Sequence, residues 1–214
     1  NSIIVVPNGA DIERYTKCFE IRTRFRSQEP IAVFLGDLNW RYHKLDSFIE
    51  ALRLLLDEGI KIYLKVIGTG RLLPKLQKLT MKLGLEDQVK FYGYLEFKDL
   101  LHEMGTSTFA IVGRPAINNM WIKTSIRLTT CEYLACGLPI LAYGPPNSYT
   151  EHFIRKHNVG IYIQSDQPQA IMKVMSQELH VLMNICPDDI RNVASRYHWD
   201  SLMDTLANRI NNII

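Results

Sequence analysis

The sequence contains few cysteines, and none are paired at the spacing used by metal or redox sites. The four are Cys18, Cys131, Cys136 and Cys186, and none form a CxxC motif. Two of them fall inside a probable helix. This pattern predicts reduced, mostly buried thiols and favours a cytoplasmic location.

The sequence also lacks long apolar runs and a strong excess of one charge. No apolar stretch approaches the roughly 20 residues that a membrane-spanning helix needs, and the N-terminus carries no signal peptide. The net charge is only +3, from 25 basic and 22 acidic residues, without a long run of Lys or Arg. Nucleic acid is therefore excluded as the expected partner. Small anionic ligands and peripheral contact with the inner face of a membrane stay open.

Several catalytic motifs are missing. The chain has no HExxH, GxSxG or GKS/T motif, and its six histidines form no ligand-like cluster. These absences argue against a zinc protease, an α/β-hydrolase and a P-loop NTPase. We expect no metal and no cofactor.

Short apolar runs alternate with segments of helical period. Seven runs have the length and composition of strands, at 2–7, 31–36, 62–68, 88–93, 108–113, 138–144 and 160–164. Helical spacing follows at 45–56, behind a Ser47-x-x-Glu50 capping box, and again at 72–83. Strands that are apolar along their whole length, joined by amphipathic helices, predict a doubly wound parallel α/β sheet.

We expect residues 1–214 to form a single domain. The α/β core covers about 1–167, and the remaining residues to 214 form helices near 169–182, 188–196 and 199–213. The chain begins at Asn1, without an initiator Met and already in a strand-like run. This start predicts a piece of a longer protein.

Ligands of such sheets bind beyond the carboxyl ends of the strands, so the loops there hold the candidate residues. The loop at 36–44 offers Asp37, Arg41, His43 and Lys44, whose cations suit a phosphate at the following helix start. An ordinary solvated loop is an equal alternative. The Gly-x-Gly that begins at Gly68 is a weak signal, which a tight turn explains equally well.

Two further segments suggest a ligand. The backbone of Tyr94 and Leu95 follows a strand, where it can meet the edge of a nucleobase, although side-chain packing is the simpler explanation. A long polar loop leads into a helix expected to begin near Ser125, and Glu132 lies about two turns into it. The alternative for Glu132 is pairing with Arg127 or with solvent.

Five segments taken in order resemble the C-terminal, donor-binding half of a GT-B glycosyltransferase, closest to the retaining family 4 type. They read VVPNGADIERY, FLGDLNWRYHK, LKVIGTGRLLPKLQKL, LGLEDQVKFYGYL and CEYLACGLPILAYG. The resemblance covers about residues 3–165 and extends to SRYHWDSL near the end. It implies a Rossmann-like domain that binds a nucleotide-diphosphate sugar.

The resemblance also implies roles for particular residues. Glu132 would accept hydrogen bonds from the ribose hydroxyls, and Lys44 would contact the diphosphate and stabilise the leaving nucleotide without a metal. We take Lys44 and Arg41 as the candidate catalytic residues. The candidate donor-binding residues are Gly36, Gly68, Tyr94, Leu95, Thr124, Ser125 and Glu132.

The sequence departs from the family pattern at three positions. Asp37 stands where the family usually has Arg after the glycine, so that this phosphate contact is missing or has moved to Arg41. Leu45 stands where Gly usually follows the lysine. Thr124 stands where the family often has a Glu that faces the transferred sugar.

The resemblance predicts a glycosyltransferase of the hexosyltransferase type. It would act on a glycan or lipid-linked acceptor that binds to an N-terminal domain absent from this chain, so this chain alone should transfer little. Two alternatives stay open: a sugar-nucleotide epimerase of the same fold, and a non-catalytic GT-B domain that serves as an interaction module.

Overall fold

The computed structural model describes residues 6–211, which form one parallel sheet with helices on both faces. The six strands occur in the order β3-β2-β1-β4-β5-β6. Their bounds are β1 Ile31–Leu35, β2 Tyr63–Ile67, β3 Val89–Gly93, β4 Phe109–Gly113, β5 Ile140–Tyr143 and β6 Gly160–Ile163. All the strand pairs are parallel, so the predicted doubly wound α/β fold is confirmed.

The helices alternate with the strands and then continue alone at the end of the chain. Their bounds are α1 Thr16–Arg24, α2 Leu45–Asp57, α3 Leu73–Lys82, α4 Phe97–Gly105, α5 Met120–Thr124, α6 Leu128–Ala135, α7 Tyr149–His157, α8 Pro168–Asn184, α9 Pro187–Ser195 and α10 Trp199–Asn211. No helix within residues 6–211 is both long enough and apolar enough to cross a membrane.

Two apolar layers enclose the sheet, because its central strands turn apolar side chains to both faces. Strands β4 and β5 are buried along their whole length. One layer contains Tyr133 and Leu134 of α6, and the other contains Phe48 and Leu52 of α2. Burial on both faces explains why these strands read as unbroken apolar runs.

Most of the predicted elements are confirmed. Six of the seven strand-like runs are strands, and residues 2–5 of the first run lie outside the described residues. The cysteines are free, and all but Cys186 are buried.

Two details of the helix starts were wrong. Helix α6 begins at Leu128 instead of near Ser125, because the residues before it are extended. Helix α2 begins at Leu45, so Ser47 already lies in its first turn and does not cap it. Its preceding residue, Lys44, has a left-handed backbone with φ of 49°.

The strand order reverses direction between β1 and β4, which lie side by side at the centre of the sheet. At such a switch point the two following loops leave toward opposite faces, and a crevice opens beyond the carboxyl ends of the strands. Gly36 follows β1 and Arg114 follows β4. The fold therefore directs attention to these two loops and to the helix starts beside them.

Candidate functional site

Two predicted glycines form the floor of the crevice. The Gly36 N–H donates to the Ile67 carbonyl over 3.1 Å, and the Gly68 N–H donates to the Gly93 carbonyl over 2.8 Å. Gly68 has φ of 137°, and a Cβ added to it would overlap the carbonyl oxygen of Gly36. The structure thus brings Gly36 and Gly68 into direct backbone contact, and a ligand can approach the main chain closely there.

The start of helix α6 faces the same crevice. Arg127 is its N-cap residue, and the first helical N–H groups, those of Leu128 and Thr129, have no partner within the helix. Asn8 holds this start in place, because its side-chain amide donates to the Ile126 carbonyl over 2.9 Å. The thiol of Cys131 donates in turn to the Asn8 carbonyl over 3.3 Å. The Pro-Asn-Gly segment thereby positions a helix terminus that favours anions.

The guanidinium of Arg127 lies over the end of strand β1. Its Nη1 contacts Nδ1 of His43, and its Nη2 lies 2.9 Å from the position that a Cβ on Gly36 would occupy. Burial lowers the pKa of Arg127, while the nearby Glu132 charge acts in the opposite direction. No carboxylate within residues 6–211 forms a salt bridge with it. Position 37 is Asp, and the guanidinium that lies beside Gly36 belongs to Arg127, the N-cap residue of α6.

A cavity of about 310 Å³ opens beside Arg127, and we call it the arginine pocket. The main lining residues are Trp40, Tyr42, His43, Arg114, Trp121 and Arg127. Asp37 is its one acidic lining residue, and the Asp37 carboxylate accepts a hydrogen bond from the Asn39 N–H over 2.8 Å. The described part of the pocket thus combines two guanidinium groups with aromatic rings and a single exposed acid.

His43 is a buried, neutral member of this pocket. Burial lowers its pKa to about 4, helped by the charges of Arg127 and Arg114, and Asp37 acts weakly in the opposite direction. Because Arg127 donates to Nδ1, the ring proton belongs on Nε2, which is buried and has no hydrogen-bond partner among the described residues. His43 therefore presents an unused donor.

We predict that His43 makes the protein less stable in mild acid. The unfolded chain binds a proton on His43 near pH 6.5 and the folded chain only near pH 4, so this contribution to stability is complete above pH 6.5 and is lost as the pH falls toward 4. From pH 7 to 5 the loss should be about 2 kcal/mol. Urea unfolding of the wild type and of His43→Gln at both pH values measures it. An equal pH dependence in both proteins would contradict the prediction, and His180→Gln, on an exposed part of α8, is the control.

Glu132 lies one turn into α6, on the other side of the helix start. It is half-buried and forms no salt bridge with any described residue, so the alternative of pairing with Arg127 does not occur. One of its polar neighbours is Tyr15, whose pKa is raised by burial and by the Glu132 charge. The Tyr15 ring packs edge-on against Phe97 at 5.8 Å. Glu132 thus presents a carboxylate whose acceptor capacity is not used by a cation.

Tyr94 and Leu95 lie between β3 and α4, as predicted. The Tyr94 side chain is 75% exposed, whereas Leu95 packs partly against the core layer that contains Tyr15. Within residues 6–211 their backbone groups form no hydrogen bond with another backbone group. They remain available for a ligand on the same side as Glu132.

The predicted catalytic cations lie apart from the arginine pocket. The Lys44 ammonium forms a salt bridge with Asp166 over 3.2 Å, and Arg41 is exposed beside Leu72 and Lys75 of the α3 region. Lys44 has a left-handed backbone, a conformation that glycine adopts more easily than lysine.

Thr124 and Ser125 bridge α5 and α6. The Thr124 hydroxyl donates to the Met120 carbonyl over 2.9 Å, within its own short helix, and is exposed. Ser125 lies nearer the pocket, where its Oγ accepts a long 3.5 Å hydrogen bond from Nη2 of Arg114. Their roles in donor binding stay predictions.

Arg114 was not predicted as a candidate site residue, and Arg127 was predicted only as a possible partner of Glu132. One signal was present, because Arg114 directly follows a glycine that ends a fully apolar strand. For Arg127 the signal was its place before the apolar start of α6. Neither signal reveals that residues 43, 114 and 127 share one cavity.

A group with the spacing of metal ligands lies elsewhere. Asp11, Glu13 and His198 bring ligand atoms within 4.8 Å of one another at the surface. A hydrogen bond already accounts for part of the group, since His198 Nε2 lies 2.7 Å from the Glu13 carboxylate. The expectation of no metal stays a prediction.

The fold is that of a Rossmann-like α/β protein, with a crevice at the switch point between β1 and β4. Residues 19–180 match the family model described as glycosyl transferases group 1. This match covers more than half of the chain, and the chain belongs to that family. No curated protein sequence matches it.

Solved structures of glycosyltransferases share its fold. The chain is similar to WaaG, a glycosyltransferase involved in lipopolysaccharide biosynthesis, with 22% identity, a TM-score of 0.66, and coverage of 97% of this chain and 56% of that one. For Anabaena HepE in complex with UDP-glucose the identity is 17%, the TM-score 0.69, and the coverage 98% and 57%.

A third similar structure is a single domain. It is the C-terminal domain of LpcC, a group 1 family protein from Francisella tularensis, with 16% identity, a TM-score of 0.61, and coverage of 87% of this chain and 97% of that one. The chain spans just over half the length of WaaG and HepE. The resemblance to the C-terminal domain of GT-B glycosyltransferases is confirmed.

Proposed function

We propose that this chain is the donor-binding domain of a glycosyltransferase that takes a sugar from a nucleotide-diphosphate sugar. The observation that carries the proposal is that one short helix at the switch point has Arg127 at its start and Glu132 in its middle. They are five residues apart, which is about 7 Å along a helix axis. A diphosphate at the helix start and its ribose at the carboxylate span such a distance.

Different groups along α6 bind different parts of the donor. The free N–H groups of Leu128 and Thr129 and the guanidinium of Arg127 face the diphosphate. Glu132 accepts from the ribose hydroxyls. The base then reaches the free backbone of Tyr94 and Leu95.

Charge stabilisation is the chemistry that such a site supplies. Breaking the bond between the sugar and the diphosphate leaves negative charge on the nucleotide, and preorganised cations and N–H groups stabilise that charge as it develops. Arg127 lines the pocket, whereas Lys44 forms a salt bridge with Asp166, and release of that ion pair would free the Lys44 ammonium. Retention of configuration, a hexose as the transferred sugar, and a glycan or lipid-linked acceptor on an additional domain complete the proposal.

Calorimetric titration of the chain with UDP, GDP and ADP and with their common sugar conjugates tests the proposal. HepE binds UDP-glucose, so we start with UDP and UDP-glucose. We expect one base to bind with a submillimolar Kd and the other two at least tenfold more weakly. Absence of binding by every nucleotide at millimolar concentration would contradict donor binding.

A non-catalytic GT-B domain is the second candidate, favoured by the salt bridge that engages Lys44. Such a domain would bind or lose the nucleotide but transfer nothing. Product analysis with the longer protein distinguishes these candidates. A transferase forms a glycosylated acceptor, a non-catalytic domain forms no product, and an epimerase converts the donor without an acceptor.

A further inference from the structure

Arg114 is the most buried cation of the arginine pocket. It directly follows β4, its backbone N–H donates to the Tyr143 carbonyl over 2.9 Å, and only 7% of its surface is exposed. Its guanidinium carbon lies 5.1 Å from the ring centroid of Trp121 and 5.9 Å from that of Tyr42. These contacts hold the Arg114 side chain against the two rings, where it lines the pocket directly after β4.

The hydrogen-bonding capacity of this guanidinium is largely unused. Its Nε is buried with no partner among the described residues, and its one side-chain hydrogen bond is the long contact with Ser125. No carboxylate in residues 6–211 forms a salt bridge with it. Burial and the charge of Arg127 lower the pKa of Arg114 to about 10, so it is still a cation at neutral pH.

A buried cation of this kind needs an anion. Aromatic rings attract the charge but leave the N–H groups unsatisfied, and an unpaired buried charge is costly. A carboxylate suits the guanidinium, because its two oxygens lie in one plane and accept two parallel N–H groups. The exposed Asp37 lines the same cavity, but the structure places it in a turn with Asn39 instead.

The donor diphosphate does not account for this need. In the proposed function, the diphosphate meets Arg127 and the start of α6, and Nη2 of Arg127 lies beside Gly36. Arg114 instead lies over the rings of Trp121 and Tyr42, which line the same pocket. A sugar can pack its C–H faces against such rings, so we assign the group next to Arg114 to the sugar.

We propose that the arginine pocket selects a donor whose transferred sugar carries a carboxylate, a nucleotide-diphosphate uronic acid, and that Arg114 binds this carboxylate. The inference rests on the proposed function, because it assumes that the nucleotide lies along α6. It adds the class of sugar, which neither the family nor the fold specifies.

The test compares two donors that differ only at C6. UDP-glucose carries a hydroxymethyl group there and UDP-glucuronic acid a carboxylate; GDP-mannose and GDP-mannuronic acid form the equivalent pair if the base is guanine. We expect the wild-type chain to bind the acidic donor at least tenfold more tightly in calorimetric titrations. Equal affinity, or preference for the neutral donor, would overturn the inference while nucleotide binding itself remained.

Variants assign the preference to a residue. Arg114→Gln should lose the tenfold preference for the acidic donor over the neutral one, and Arg114→Lys should keep part of that preference. Arg196→Gln, on the exposed end of α9, is the matched control. If Arg114→Gln keeps the preference, Arg114 is not the carboxylate ligand. If neither donor pair nor free UDP or GDP binds, the proposed function fails and the inference with it.

Discussion

Replacing Glu132 with alanine is expected to weaken nucleotide binding about 10- to 100-fold and to leave the fold intact. A hydrogen bond to a charged group contributes about 1.5–3 kcal/mol, which is one to two powers of ten in Kd. Glu132 is half-buried and has no cationic partner among the described residues that would share this energy. Calorimetric titration with the nucleotide that the wild type binds gives the ratio.

The stability of the same variant separates a binding role from a structural one. Glu132 lies in the middle of α6, beyond the first turn in which the helix dipole would stabilise its charge, and this charge raises the pKa of buried Tyr15. Alanine also has the higher helix propensity. We therefore expect an unfolding temperature equal to or slightly above that of the wild type. A clear loss of stability would instead make Glu132 a structural residue.

Two further variants complete the experiment. Glu132→Gln keeps the size and one acceptor but removes the charge, so an intermediate affinity is expected. Glu178→Ala removes an exposed carboxylate on α8 and should bind like the wild type. Unchanged affinity in Glu132→Ala would mean that the ribose binds elsewhere.

The fold was predictable from the sequence because its signals are local. Strands β4 and β5 are buried on both faces, and a strand in that position must be apolar at every residue. The glycines that end several strands mark the edge at which ligands bind. Glu132 was chosen as a candidate on a local signal too, because it is a carboxylate among small and apolar residues, and its binding role stays a prediction.

The arginine pocket was not predictable, because it depends on contacts between distant residues and on local backbone geometry. Arg127 and His43 are 84 positions apart and meet only after β1 and β4 pair. The start of α6 is held in place by a hydrogen bond between Asn8 and Ile126, which are 118 positions apart. The left-handed backbone at Lys44 could not be predicted from the sequence either, since lysine rarely adopts that conformation.

Replacing Gly68 with alanine is expected to cause the largest loss of stability, about 4 kcal/mol or more. The backbone of Gly68 has φ of 137°, and the added Cβ would overlap the carbonyl oxygen of Gly36. Gly36 cannot easily move away, because its N–H is bonded to Ile67 and Arg127 lies over it. The obstacle is main chain on both sides, so no rotamer change relieves it.

Gly84→Ala is the matched control for this prediction. Gly84 also has a positive φ, of 63°, but nothing lies within 4 Å of the position of its Cβ. Its loss should be only the intrinsic 1–2 kcal/mol or so of a left-handed alanine. Urea unfolding of both variants gives the difference directly. Equal losses would contradict the prediction, whereas the expected excess combines the overlap with Gly36 and the wider positive φ at position 68.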